Sequence, residues 1–158
     1  MKIAPLAEAA LDHLGQFDCV SLRVRTAELQ RLSWQEVKLD QNFIEVTAGK
    51  AKTAQRRLVP IQPNLALWLR PFVKPSGPVF SLSTINQKAA GFAPRHGVAW
   101  PQNALRHSYA SYRLGQCKSA AEVALEMGNS ARMVFQHYRE LVTPADVEKW
   151  WKIEPAGS

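Results

Sequence analysis

One stretch of the 158-residue chain constrains the fold most, because it has the pattern of a β-hairpin in a chain that otherwise has helical periodicity. The segments "NFIEVTA" and "RRLVPI" are short and β-branched, and they flank the basic connector "GKAKTAQ". The segment "EVKLD" precedes them with the same character. Together they predict a small antiparallel sheet, which Pro60 and Pro63 end.

The remaining sequence has apolar residues at helical spacing. The last predicted helix has Thr143 as its N-cap, Pro144 at its first position and Asp146 three residues after the cap. The fold class is therefore α+β, a mostly helical domain with a small antiparallel β-sheet, and we expect one domain over residues 1–158. The predicted helices cover residues 5–16, 25–34, 63–71, 81–90, 101–115, 119–128, 130–139 and 143–152, with residues 143–158 forming a C-terminal helix and tail.

Composition favours a polyanionic partner. Twenty Lys and Arg residues against thirteen Asp and Glu residues give a formal net charge of +7, which is typical of proteins that bind nucleic acid. Cys19 and Cys117 are far apart and lack metal-ligand spacing, so we expect reduced thiols and no metal. No run approaches the ~20 apolar residues of a membrane span. The sequence predicts a soluble, cytoplasmic protein with no membrane partner.

Several basic residues and one tyrosine stand out by their neighbours. Taken singly, each has an ordinary structural interpretation: arginines beside apolar residues often snorkel or form ion pairs, and a basic hairpin is often a solvated turn. A tyrosine in a helix is usually a half-buried aromatic residue. The residues are Arg25, Lys50, Lys52, Arg56, Arg57, Arg106 and Tyr138.

Taken together and in this order, these residues resemble the catalytic domain of tyrosine recombinases, the phage-integrase family. The resemblance runs from Arg25 to Tyr138, in "RTAELQRLSWQEVKL", "AKTAQRRLVPI", "NALRHSYASY" and "MGNSARMVFQHYREL". It implies a site-specific recombinase or integrase domain that cuts and rejoins double-stranded DNA without a metal or cofactor. Family members normally carry an N-terminal core-binding domain, and we expect this chain to be the catalytic domain without it.

The resemblance also implies roles for the catalytic residues. Tyr138 would attack a phosphodiester and form a 3′-phosphotyrosyl intermediate. Arg25 and Arg106 would stabilise the added negative charge, because guanidiniums are planar, permanently charged donors. Lys52 would protonate the departing 5′ oxygen, although a register slip would give this role to Lys50. The remaining basic residues of the hairpin are predicted to bind DNA: Lys50, Arg56 and Arg57.

Two asparagines depart from the family pattern. Asn103 and Asn129 occupy the places where the family usually has histidines. An amide can donate a hydrogen bond to a phosphate oxygen, but it cannot take up a proton near neutral pH. His107 and His137 are adjacent in sequence to site residues, but neighbours on a helix point about 100° apart. Asn103 therefore predicts slow cleavage at neutral pH, whereas Asn129 is the milder departure, because the family varies the donor at that position.

Two other functions are compatible with these residues. The first is a DNA-binding module of the same fold with impaired chemistry, and the second is a type IB topoisomerase-like enzyme. Family members also exchange C-terminal segments between protomers. Val147, Trp150 and Trp151 form an aromatic stripe on the last helix, so we expect this helix to dock on a neighbouring protomer rather than on its own core, and the chain to self-associate on DNA. The alternative is a plain packing helix in cis.

Overall fold

The structure, a computed structural model, describes residues 26–47, 56–79, 104–138 and 142–155. This part of the chain is mostly helical with one small antiparallel sheet, which confirms the predicted fold class. The helices predicted over 5–16 and 81–90 lie outside the described residues. The elements are α1 (Thr26–Leu29), a 3₁₀ turn (Trp34–Glu36), β1 (Val37–Lys38), β2 (Phe43–Val46), β3 (Arg57–Pro60), α2 (Pro63–Leu69), a second 3₁₀ turn (Arg70–Phe72), α3 (Ala104–Cys117), α4 (Ala120–Met127), α5 (Ala131–Tyr138) and α6 (Pro144–Trp151).

The sheet has the order β1-β2-β3, with both pairs antiparallel. The predicted hairpin is confirmed, with Ile44 of β2 opposite Val59 of β3. Side chains alternate across a strand, so Ile44 and Val46 enter the core while Phe43 and Glu45 are only half-buried. The hairpin therefore presents one face to the core.

The second predicted helix is shorter than expected. The sequence predicted a helix over residues 25–34, but α1 ends at Leu29. Ser33 begins a separate 3₁₀ turn with a capping box, in which its backbone N–H donates to Glu36 Oε2 at 2.8 Å. The backbone of Leu32 also accepts a bond from Val79 at 2.9 Å. These contacts override the apolar periodicity, because they require extended backbone where the helix would have continued.

The C-terminal helix corrects another prediction. Instead of docking on a neighbouring protomer, α6 packs on its own α3. The rings of Trp150 and Tyr112 stack with centroids 4.3 Å apart, and Gly115 allows the two helices to approach closely. Trp68 of α2 donates to the carbonyl of Ile153 at 3.4 Å just beyond α6. The aromatic stripe therefore completes the core in cis, and self-association on DNA stays a prediction.

Thr143 caps α6 as predicted, because its Oγ1 accepts from the Asp146 backbone N–H at 3.2 Å.

In the part of the chain that the structure describes, no helix has both the length and the apolar character needed to cross a bilayer.

Candidate active site

The turn between α4 and α5 is the centre of the candidate site. Gly128 ends α4 in the left-handed region, with φ of 63°, a conformation that glycine adopts without steric cost. The next backbone N–H, of Asn129, returns to the carbonyl of Ala124 at 2.9 Å. The last carbonyls of a helix have no partners within it, and its C-terminus is partially negative. The end of α4 therefore favours positively charged donors.

Arg57 of β3 is the first of these donors. Its Nε donates to the carbonyl of Glu126 at 3.3 Å. Its two terminal nitrogens donate to the carboxylate of Glu28 at 3.1 and 2.6 Å, and the Arg57 side chain is only 9% exposed. A Cβ at Gly128 would lie 3.3 Å from the guanidinium carbon, so glycine also leaves room for this contact. One buried ion pair thus joins α1, β3 and α4.

Arg106 of α3 is the second donor to the same turn. Its Nη2 donates to the carbonyl of Met127 at 2.7 Å and to Oδ1 of Asn129 at 3.3 Å. Arg57 and Arg106 therefore bind consecutive carbonyls at the end of α4, from different elements. The second contact orients the Asn129 side chain beside a guanidinium.

The carboxylate of Glu126 fixes the last turn of α4 to α3. It accepts hydrogen bonds from the hydroxyl of Tyr109 and from Arg113, whose Nη2 lies 2.8 Å from Oε1. Burial of the Arg113 guanidinium lowers its pKa, but the hydrogen bond and charge of Glu126 outweigh this, and the pKa of Arg113 is raised overall. The α3–α4 contact therefore combines a buried ion pair with the apolar packing of Val123 and Met127.

Tyr138 is the last residue of α5, and α3 contacts it in two ways. Ser111 Oγ donates to the Tyr138 carbonyl at 3.1 Å. The ring of His107 lies against the Tyr138 ring, with centroids 4.9 Å apart and an angle of 50° between the planes. Tyr138 as a whole is 8% exposed. The predicted nucleophile is therefore packed beside the helix that carries Arg106.

The structure brings three predicted site residues to one region. Arg106 contacts the turn that carries Asn129, and the residue after Arg106 contacts Tyr138. Arg56 is well exposed and forms a surface ion pair with Glu45. The other predicted site residues, Arg25, Lys50, Lys52 and Asn103, lie outside the described residues.

Arg57 was grouped with Arg56 as a DNA contact, yet the structure gives it a buried partner. Glu28 and Glu126, which organise the turn, were not identified from the sequence. A signal did exist for Glu28, because it adjoins Leu29 on a segment with a buried apolar face. A carboxylate in that position requires a partner. Among the residues that the structure describes, no group of His, Cys, Asp and Glu side chains could hold a metal ion.

Comparison with known proteins supports a recombinase-like fold. The structure is similar to a crystal structure of XerA recombinase, with a TM-score of 0.71 and 20% sequence identity. The match covers 94% of this chain and 60% of that chain, so this chain spans 60% of the length of that protein. At this identity the likeness shows the fold alone. No protein-family model and no curated protein matches the sequence.

Proposed function

We propose that the chain is the catalytic domain of a tyrosine recombinase, which cuts and rejoins double-stranded DNA through Tyr138. The observation that carries the proposal is the junction of α3, α4 and α5. There Arg106 binds Asn129 Oδ1 at 3.3 Å, and the neighbouring His107 ring packs on Tyr138. Three residues assigned by resemblance, far apart in the sequence, meet in a recombinase-like fold.

The chemistry assigns one role to each group. The Tyr138 phenol loses its proton to solvent water, and its oxygen attacks phosphorus and forms a phosphotyrosyl bond, while the bond from phosphorus to the 5′ oxygen breaks. Arg106 and Arg25 donate to the non-bridging oxygens, where negative charge accumulates. Lys52 gives its proton to the departing 5′ oxygen. Asn129 donates a further hydrogen bond. Because the new bond is a phosphodiester, the reverse attack by a 5′ hydroxyl rejoins the strand without ATP.

Trapping of the covalent intermediate tests this function. The chain is incubated with a pool of duplexes of randomised sequence, each nicked so that cleavage releases a short 5′-hydroxyl fragment. The fragment diffuses away, so the phosphotyrosyl adduct accumulates and migrates as a protein–DNA band on a denaturing gel. We expect a band with the wild-type chain and none with Tyr138→Phe. Failure to form it across the pool would contradict the proposal.

A second function, DNA binding without efficient chemistry, is favoured by the burial of Tyr138. Tyr138 as a whole is only 8% exposed, so little of the residue is open to a phosphate. Asn103 also removes an imidazole that could accept the phenolic proton. If this function is correct, the chain binds DNA but forms adduct very slowly. Asn103→His should then raise the rate at neutral pH by about 10²-fold, at the lower end of general-base contributions.

Both functions require binding to the DNA backbone. Each phosphate that the protein neutralises contributes about 0.9 to the slope of log affinity against log salt concentration. The expected contacts include Arg56, Lys50 and Lys52 but exclude Arg57, whose guanidinium is bound to Glu28. Arg56→Ala should therefore reduce the magnitude of this slope by about 0.9, the contribution of one phosphate contact. A flat salt response would contradict both functions.

A further inference from the structure

The two asparagines remove the histidines expected near the nucleophile, yet one imidazole of α3 contacts Tyr138. We propose that His107 is a positioning residue for Tyr138, whose ring packing fixes the direction in which the phenol points. This inference rests on the proposed function, because positioning matters only if Tyr138 attacks a phosphate.

The geometry of the pair is that of a specific aromatic contact. The centroid separation of 4.9 Å lies in the range of about 4.5–7 Å that interacting aromatic rings adopt. The planes are inclined at 50°, so the edge of one ring approaches the face of the other obliquely. His107 is half-buried, which limits the positions that its ring can occupy.

The same helix also holds the backbone of Tyr138. Ser111 Oγ donates to the Tyr138 carbonyl at 3.1 Å. His107 and Ser111 are four residues apart on α3 and therefore share one face of that helix. One turn of α3 thus contacts both the ring and the backbone of Tyr138.

Arg106 precedes His107 on α3, so a single rigid element carries the charged donor and orients the nucleophile. Attack on phosphorus requires near in-line geometry, and a misplacement of about 1 Å can reduce a rate by 10²-fold. His107 therefore acts on the reaction through Tyr138.

Single-turnover cleavage of the nicked duplexes tests this role. His107→Ala removes the ring and should slow cleavage about 10- to 100-fold, with unchanged DNA affinity. His107→Phe keeps a ring and should remain within about threefold of wild type. His137→Ala is the matched control, because His137 is exposed and adjacent to Tyr138, and it should have no effect. If the alanine variant does not fold, His107→Gln removes the ring in its place.

Two results would overturn the inference. A His107→Ala variant with the wild-type rate would show that the contact is not needed. A His107→Phe variant as slow as His107→Ala at neutral pH, but restored in alkaline solution, would show that the imidazole accepts a proton instead of packing.

A second readout does not depend on activity. The chain has three tyrosines, and 3-fluorotyrosine in their place gives resonances that Tyr138→Phe assigns. His107→Ala should move the Tyr138 resonance more than His137→Ala does. If His107→Ala leaves the resonance and the rate unchanged while wild type cleaves DNA, only this inference fails. If no adduct forms although the resonance responds, the proposed function fails and the contact stands.

Discussion

Helix α3 holds its two neighbours by different means. The α4–α5 junction is attached through charged groups in addition to buried apolar packing: Arg106 binds the carbonyl of Met127, and Arg113 binds the carboxylate of Glu126. Helix α6 is attached through apolar contact, with Trp150 stacked on Tyr112.

The two kinds of contact contribute differently, one to the positions of atoms and the other to stability. Hydrogen bonds to charged groups are directional, so they fix the positions of the atoms that make them. Apolar burial is non-directional and contributes stability roughly in proportion to area. The directional contacts are added at the α4–α5 junction, where the proposed reaction needs defined positions, whereas the apolar contacts of α6 close the core.

The largest expected effect is the loss of stability when the buried ion pair between Arg57 and Glu28 is broken. Arg57→Ala would remove the guanidinium that binds the buried carboxylate of Glu28, which costs about 3–5 kcal/mol in the free energy of unfolding. Arg56→Ala is the matched control, because its ion pair with Glu45 is at the surface, and its cost should be below about 1 kcal/mol. Denaturant unfolding measures both.

A double variant sharpens this prediction. Glu28→Leu combined with Arg57→Met removes both charges, and it should recover much of the lost stability because no unpaired charge remains. Equal costs for Arg57→Ala and Arg56→Ala would show that the buried ion pair does not hold the junction.

The next largest effect is expected on the rate of DNA cleavage. Arg106→Ala should slow single-turnover cleavage by about 10²–10³-fold, since one charged donor to the transition state is lost. Arg106→Lys keeps the charge but not the planar fork, so its cleavage rate should fall between those of wild type and Arg106→Ala. Arg132→Ala, at an exposed position of α5, is the control and should cleave normally. A wild-type rate for Arg106→Ala would remove this arginine from the site.

A smaller effect on stability is expected at the apolar contact between α3 and α6. A Cβ at Gly115 would lie 2.7 Å from Val147 Cγ2 and 2.9 Å from Val142 Cγ2. Gly115→Ala should therefore lower the free energy of unfolding by about 1–3 kcal/mol through overpacking. Gln116→Ala, one residue along and exposed, is the control. If Gly115→Ala is neutral and the protein is dimeric by sedimentation, α6 docks in trans rather than in cis.

The smallest effect concerns the start of α6. Thr143→Ala should cost about 1 kcal/mol in thermal unfolding, because the Asp146 N–H loses its capping oxygen. Thr143→Ser keeps the oxygen and should stay close to wild type. Equal losses in the two variants would show that the Thr143 methyl group, not the cap, is responsible.

The elements with strong local signals were predictable from the sequence. The hairpin follows from β-branched segments around a turn, and the start of α6 follows from Thr143 and Pro144. α1 was predicted too long, because the contact of Leu32 with Val79 is made by residues distant in sequence. Local periodicity carries no information about such a contact.

The candidate site was predictable only where motif order identified it. Arg106, Asn129 and Tyr138 were assigned by resemblance, and the structure brings them to one junction. The pairing of Arg57 with Glu28 was not predictable, since adjacent arginines on a strand look alike until one faces the core. The stripe on α6 likewise could not distinguish packing in cis from packing in trans.

Peptide mapping of the trapped adduct is the most direct test of whether Tyr138 becomes covalently bonded to DNA. The adduct is digested with nuclease and protease, and tandem mass spectrometry locates the residual nucleotide. We expect the mass of the nucleotide to be found on Tyr138, joined through a 3′ phosphate, and we expect no adduct from Tyr138→Phe. A nucleotide on any other residue, or an adduct that persists in Tyr138→Phe, would contradict it.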